Sequence, residues 1–348
     1  MAAPTGVSRI LQIHPLRSCN LRCLHCYSES APQERDRLPV DLLLRALPVA
    51  RAAGYGVASI SGGEPLLYEA LPELLDGCAA AGLAATVTTN GMLLDERRVS
   101  WLKDRTLLVA ISVDGNPESH NLMRGSPRAF QEMERRVPLL RDAGIPFGFI
   151  FTLTQYNLDE LHWVAEFAAS QGAGLLQIHP LEPIGRARTE LADAAPDPHE
   201  LSAAFLESLR IQTLVGDDMV VHFDALDRDA MTEHPEQFFA QPEPAAADLP
   251  FAEILSPLII EADGMVCPLD HGFARHFALG NLRNTDLQEM ITAWRETKLD
   301  DFHRLCRDAW SDLTQPAEWP FVNWYSELNQ RAGQWTLRSP VAAVAGQS

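Results

Sequence analysis

Short apolar runs alternate with amphipathic segments from Val7 to about Ile178. The runs at 8–13, 57–61, 84–88, 107–113, 147–153 and 174–179 are β-prone and bounded by turn residues. Between them, apolar residues recur at helical spacing near 39–53, 69–82, 95–103, 127–143 and 157–171. Gly54, Gly82, Gly144 and Gly172 stand where four of these helices should end. Six strand–helix repeats at this spacing imply parallel strands joined by right-handed crossovers, so the expected fold class is α/β. The pattern alone fits both an open doubly wound sheet and a partial barrel. In either, the chemistry belongs at the C-terminal ends of the strands.

The pattern changes after Arg188. Residues 189–200 are rich in Ala, Asp and Pro and read as a linker before a helix over 199–215. Residues 232–250 hold Pro235, Pro242, Pro244 and Pro250 with little periodicity, which predicts a long loop. Leu258–Ala262 and Met265–Cys267 flank Asp263-Gly264, a hairpin signal. Helices are expected near 286–296 and 299–310. Residues 1–6 read as a disordered leader and 337–348 as a frayed tail. The expected division is a core over 1–190, a linker helix and Pro-rich loop over 191–254, and a C-terminal unit over 255–336.

Composition narrows the function classes. The chain has 348 residues, 46% of them apolar, enough for a large core. No run approaches the roughly 20 apolar residues of a membrane span, and no basic-then-apolar stretch marks a secretory signal. A net charge of −19 argues against non-specific binding to nucleic acid or anionic membrane, which favours basic surfaces. The cysteines are Cys19, Cys23, Cys26, Cys78, Cys267 and Cys306. Three share one loop and three are scattered, which is no disulfide framework and suits a reducing cytoplasm.

That loop carries the chemistry. Cys19-Asn20-Leu21-Arg22-Cys23-Leu24-His25-Cys26-Tyr27 directly follows the first apolar run, with the spacing C-x3-C-x2-C. Three thiolates can hold three corners of a cubane iron–sulfur cluster, which leaves one iron open to another ligand. A zinc loop or unrelated thiols are the alternatives, but zinc sites usually add a second C-x2-C or a His pair, and none follows here. Further strand ends add candidates: Ser61-Gly62-Gly63-Glu64-Pro65, where glycines admit close backbone approach; Ser112-Val113-Asp114-Gly115, whose hydroxyl and carboxylate share a face; and Arg124 in His120-Asn121-Leu122-Met123-Arg124-Gly125. An ordinary turn at Asp114-Gly115 and a surface ion pair for Arg124 are the bland readings.

The cysteine loop resembles the signature of the radical S-adenosylmethionine (SAM) enzymes, and Gly62-Gly63-Glu64-Pro65 resembles that family's GGEP motif. The resemblance covers roughly residues 8–190. It implies a partial (β/α)6 TIM-type barrel with Cys19, Cys23 and Cys26 binding one [4Fe–4S] cluster. It also implies that Gly62, Gly63, Glu64, Ser112 and Arg124 contact SAM, that His25 packs on the adenine, and that Leu181 lines it; Asp114, on the same face as Ser112, suits a ribose diol beside them. His179 and Tyr27 read as structural. Residues 255–300 resemble a small α+β SPASM-type extension through Asp263–Pro268, Gly280-Asn281-Leu282 and Leu287–Trp294. Only Cys267 stands at a ligand-like place there, with Cys306 beyond it, so the auxiliary clusters of that extension are not expected. The implied activity is reductive cleavage of SAM to a 5′-deoxyadenosyl radical that takes a substrate hydrogen. The expected substrate is a ribosomally made peptide. Alternatives are a small molecule or tetrapyrrole side chain, or a non-catalytic iron–sulfur or zinc protein. Expected partners are an electron donor such as flavodoxin or ferredoxin and a separate peptide-recognition protein, since the first strand begins too early for an N-terminal recognition domain.

Overall fold

The computed structural model describes residues 9–224, 226–235, 238, 249–315, 317 and 319–338. The expected leader, most of the Pro-rich loop and nearly all of the frayed tail lie outside them. Seven parallel strands run side by side in chain order: β1 (Ile10–Ile13), β2 (Val57–Ile60), β3 (Ala84–Thr89), β4 (Leu108–Val113), β5 (Phe147–Leu153), β6 (Leu175–Pro180) and β7 (Val220–Phe223). Helices including Val40–Ala52, Leu71–Ala81, Glu96–Leu102 and Leu161–Gln171 connect them. The fold is mixed α/β, in keeping with a partial TIM-type barrel.

Strand alternation sorts the residues. One face carries Leu11, Ile13, Ala58, Ile60, Val87, Val109, Ile111, Val113, Phe149, Phe151, Leu176 and Ile178, all buried in the main core under the helices. The other face is unusually polar for a parallel sheet: Gln12, Ser59, Thr86, Thr88, Ser112, Thr152, Gln177 and His179 are each half-buried or half-exposed. Parallel sheets covered on both faces read as continuous apolar runs, so this alternation marks a concave face that lines a lumen. The register places Ser112, Ile150, Gln177 and His222 in one lateral row across β4 to β7.

Three features depart from the sequence-based expectation. The helix expected over 127–143 is two short helices, Ala129–Glu134 and Pro138–Asp142, because Pro138 has no N–H to continue the first. The strand β7 went unnoticed because four residues after a polar turn carry little pattern. The C-terminal helix Trp324–Arg338 was also missed; it is mostly polar and buries Trp324, Leu328 and Ala332 on one stripe.

The expected hairpin forms, with β9 (Leu258–Ile260) antiparallel to β10 (Met265–Pro268), and β10 also pairs with β11 (Gly280–Asn281). The expected boundary near 254 does not interrupt the sheet, because β9 pairs in parallel with β1 and makes one ten-stranded sheet. A separate pair joins β8 (Leu226–Asp227) to β12 (Phe321–Val322). The seam is fixed at depth. Tyr55 Oη donates to Leu255 O at 2.7 Å in a buried site, and Trp294 packs on Phe251 and Phe302 while its Nε1 donates to Phe277 O at 2.8 Å.

Tyr55→Phe keeps the ring and strands the buried Leu255 carbonyl, which should destabilise the protein by about 1–3 kcal/mol. Urea denaturation followed by circular dichroism measures this. An unchanged midpoint would show that the seam does not depend on that hydrogen bond.

Candidate functional site

The loop leaving β1 brings the three thiols to the strand ends. Cys23 is buried, while Cys19 and Cys26 are partly exposed. Each sulfur has a donor near it: Asn90 Nδ2 is 3.9 Å from Cys19 Sγ, Arg124 Nη1 is 3.7 Å from Cys23 Sγ, and the Ser30 N–H is 3.3 Å from Cys26 Sγ. Burial pushes the Cys19 and Cys23 thiols above their usual range; Glu64 adds to this at Cys19, and Arg124 opposes it at Cys23. Such thiols keep their protons unless a cation draws them off, as a bound metal does. Among the described residues no three His, Cys, Asp or Glu side chains converge on a single-ion site. Three thiols on one loop, each with a donor near its sulfur, fit three corners of an iron–sulfur cubane.

The loop is clamped from two sides. A Cβ on Gly63 would lie 2.3 Å from Ser18 O, and one on Gly185 would lie 2.3 Å from Tyr27 O, so only glycine lets these backbones meet the loop. Next to Gly185, buried Arg186 donates from Nη1 to Cys23 O at 2.5 Å and from Nη2 to Ser30 O at 3.0 Å, and its N–H donates to Cys26 O at 3.0 Å. Sequence reasoning gave Arg186 no role. Its one visible signal was a Gly-Arg pair after the sixth strand.

Several expected ligand contacts have other partners. Glu64 is buried, and its carboxylate accepts from Thr89 Oγ1 (2.8 Å), the Asn90 N–H (2.9 Å) and the Leu66 N–H (3.0 Å). Burial raises its pKa against those three bonds. These bonds tie β2 to β3. Asp114 is likewise buried. It pairs with Arg124 (Nε to Oδ2, 2.6 Å) and lies 3.3 Å from His25 Nε2, with no side-chain exposure. Burial opposes its ionisation, but Arg124 and His25 outweigh that and hold it well below the usual carboxylate range. The carboxylate orients Arg124 and His25.

Arg124 ends the helix Pro117–Arg124, which starts where Asn116 Oδ1 accepts from the Glu118 and Ser119 N–H groups and stops at Gly125. His25 keeps a buried Nδ1 with no partner, a polar atom beside the cysteines that a bound group could satisfy. Ser112 stays half-buried on the lumen face, and no side-chain hydrogen bond occupies its hydroxyl among the described residues. The Gly62 N–H donates to Tyr27 Oη at 3.3 Å. Tyr27 Oη also donates to Ser61 Oγ at 3.2 Å and lies 3.2 Å from His14 Nε2, so Tyr27 holds the Gly62 turn as well as packing. Leu181 joins Met123, Ala187, Leu191 and Leu24 in a small apolar cluster beside the loop.

The far side of the lumen carries residues that sequence reasoning missed. The Asp224 carboxylate accepts from Gln177 Nε2 (2.6 Å) and is paired with His179 Nδ1 (3.0 Å) and His222 Nε2 (2.9 Å). Burial works against the His179 imidazolium, yet Asp224 outweighs it and raises the pKa; Asp224 also raises that of His222. Facing them, Asp270 has a buried Oδ2 without a partner, and burial together with Glu182 pushes its carboxyl up to about 7. A cavity of about 330 Å³ lies on the loop's flank between Tyr27, Gly185, Arg188, Glu261, His271 and Arg275; none of the three thiols lines it. No helix among the described residues is long and apolar enough to cross a membrane.

Comparison with known proteins agrees with this geometry. The model of the radical SAM superfamily matches residues 13–168. The chain is 30% identical over 203 residues to the AdoMet-dependent heme synthase of Methanosarcina barkeri, covering 58% of each chain. It is 28% identical to the antilisterial bacteriocin subtilosin biosynthesis protein AlbA of Bacillus subtilis, over 49% of this chain and 39% of that one. It thus spans less than two thirds of the length of these curated relatives. Native anSMEcpe with bound AdoMet and Cp18Cys peptide shares the fold, with a TM-score of 0.62 at 18% identity over 97% of this chain and 98% of that one.

The Asp114 N–H donates to His120 Nδ1 at 3.2 Å, and burial pushes that imidazole down to about 3 against the pull of Asp114. An unfolded His titrates near 6.5, so between these values the unfolded chain binds the extra proton and stability falls as pH drops. His120 should account for roughly 2 kcal/mol of lost stability on going from pH 7.5 to pH 5. Urea midpoints at the two pH values should differ less in His120→Asn than in the wild type. An equal difference would show that His120 is not the group responsible.

Proposed function

We propose, from the premise that residues 13–168 form a radical SAM domain, that this protein generates a 5′-deoxyadenosyl radical and uses it to modify a peptide. Cys19, Cys23 and Cys26 would hold a [4Fe–4S] cluster, which would supply the electron for cleavage of SAM, with a low-potential donor such as flavodoxin or ferredoxin replenishing it. The protein's part is binding, orientation and exclusion of water. The clamped loop presents three thiols. The Gly62-Gly63 backbone and the free Ser112 hydroxyl offer SAM hydrogen-bonding groups along the strand ends, and His25 and Leu181 form the wall beside Cys26. Arg124, fixed by Asp114, keeps a cation next to Cys23. Asp224 holds His179 and His222 at the ends of β6 and β7, and the C-terminal segment adds the buried carboxyl of Asp270.

The observation that carries this reading is the set of three thiols on one clamped loop inside the matched domain. Peptide modification is supported by the likeness to the bacteriocin biosynthesis protein AlbA and to a peptide-bound structure. A second reading, chemistry on a tetrapyrrole side chain, is supported by the likeness to the heme synthase. A cytoplasmic setting suits the unpaired thiols, and a separate peptide-recognition protein would deliver a peptide substrate.

Anaerobic reconstitution should give about four irons per chain and a brown absorbance near 400 nm, and dithionite with SAM should yield 5′-deoxyadenosine. Ala at Cys19, Cys23 or Cys26 should abolish that product, while Cys78→Ala, in the buried face of the helix Leu71–Ala81, should retain it. Retention by Cys23→Ala with loss by Cys78→Ala would refute the assignment. A single cluster is expected because Cys267 Sγ already accepts from Arg275 Nη1 at 2.8 Å and Cys306 is buried in the helix Leu299–Leu313. Near eight irons, lowered by Cys267→Ala, would restore an auxiliary cluster.

A further inference from the structure

Four buried charged groups stand next to the cysteine loop: Arg124, Asp114, Glu64 and Arg186. Arg124 has Asp114 as its counter-ion, and Glu64 has three hydrogen-bond donors. Arg186 differs: it is 7% exposed, and its side-chain bonds go to two backbone carbonyls, Cys23 O and Ser30 O. No carboxylate pairs with it among the described residues. Neutral carbonyls compensate a buried guanidinium only in part, and an isolated buried charge is costly. Its position is specific, because one carbonyl belongs to a cluster thiol residue and its own N–H donates to the carbonyl of another, Cys26.

We propose that Arg186 is a positioning residue whose counter-charge is the iron–sulfur cluster itself. This rests on the cluster reading given above. A doubly charged cubane core with three thiolates carries one net negative charge, and the guanidinium bonds the backbone of one ligand residue, Cys23, and of Ser30, while the Arg186 N–H bonds that of a second, Cys26. Arg186 therefore does two things at once. Its fork fixes the backbone of the cysteine loop, and its charge favours the loaded state over the empty one. Before the metal arrives the same charge is uncompensated and weakens the empty fold. The loop is thus built to be satisfied by loading, through a residue more than 150 positions away in the chain. Because adding an electron makes the cluster more negative, the guanidinium also favours reduction.

The test separates charge from staple. Arg186→Met keeps most of the volume and removes the charge; Arg186→Lys keeps the charge and loses the fork. In the cluster-free protein, Arg186→Met should melt at or above the wild-type temperature. In the reconstituted protein it should release iron to a chelator at least tenfold faster than wild type, and its midpoint potential, read by EPR-monitored titration, should shift negative. Arg186→Lys should hold the wild-type potential while releasing iron faster. The proposal is overturned if Arg186→Met melts lower by the same amount in both forms, if it fails to fold without the cluster, or if its potential is unchanged. A wild-type protein that takes up no cluster would instead overturn the functional reading, and iron analysis distinguishes the two failures.

Discussion

Everything at the strand ends depends on holding three thiols on a single loop in a fixed arrangement while burying much of that loop. A loop of nine residues has no helix or sheet ladder of its own to hold it. Its backbone groups must be satisfied from outside. The structure does this from both ends of the barrel. The Gly62-Gly63 turn after β2 meets the loop's start, and Gly185-Arg186 after β6 meets its end. The ends of the second and sixth of the expected strands therefore converge on the same short stretch. Closing the sheet into a curved half-barrel is what brings them there; a flat sheet in the same strand order would leave β6 far from β1.

The same economy explains why the buried carboxylates face inward. Glu64 and Asp114 both stand at strand ends and both were read as ligand contacts. Each receives bonds from neighbouring strand ends or helices: Thr89 and Asn90 for Glu64, Arg124 and His25 for Asp114. A carboxylate that fixes a neighbour's position shapes a site as strongly as one that touches the ligand. Spacing within one strand cannot distinguish the two, because the difference lies in what the next strand brings alongside. Ser112, by contrast, has no such neighbour, and its hydroxyl remains open to the lumen.

Legibility followed the range of the determining interactions. The six strands, most of the helices and the Asp263-Gly264 hairpin were readable because periodicity, helix stops and turn chemistry are local. The cysteine loop was readable because its three ligands lie within eight residues. The β1–β9 seam, β7 with Asp224, and Arg186 were not readable, because each acquires meaning only through a partner far along the chain. The seam joins Leu11 to Leu258, and Arg186 reaches back to Cys23. His179 illustrates the limit: alone it resembles a structural histidine, and only β7 gives it an aspartate.

The C-terminal segment has consequences for the electron balance. Cys267, the one thiol at a ligand-like place there, is held by Arg275, which also pairs with Glu261 at 2.6 Å. Burial and Glu261 push that thiol up to about 12, and the guanidinium fills the space beside it. A second cubane there would have to displace an ion pair as well as find ligands that the neighbourhood does not contain. On the proposed reading the C-terminal segment holds no second cluster, and so would not take up the electron that a substrate radical loses in a net oxidation. Such an oxidation would need an outside acceptor, or the cluster on the β1 loop would have to recover the electron. A redox-neutral rearrangement, or hydrogen return from 5′-deoxyadenosine, needs neither. The acid–base groups on the far wall, His179, His222 and Asp270, suit a substrate step in which a proton moves close to the radical carbon, because proton transfer requires only a positioned partner.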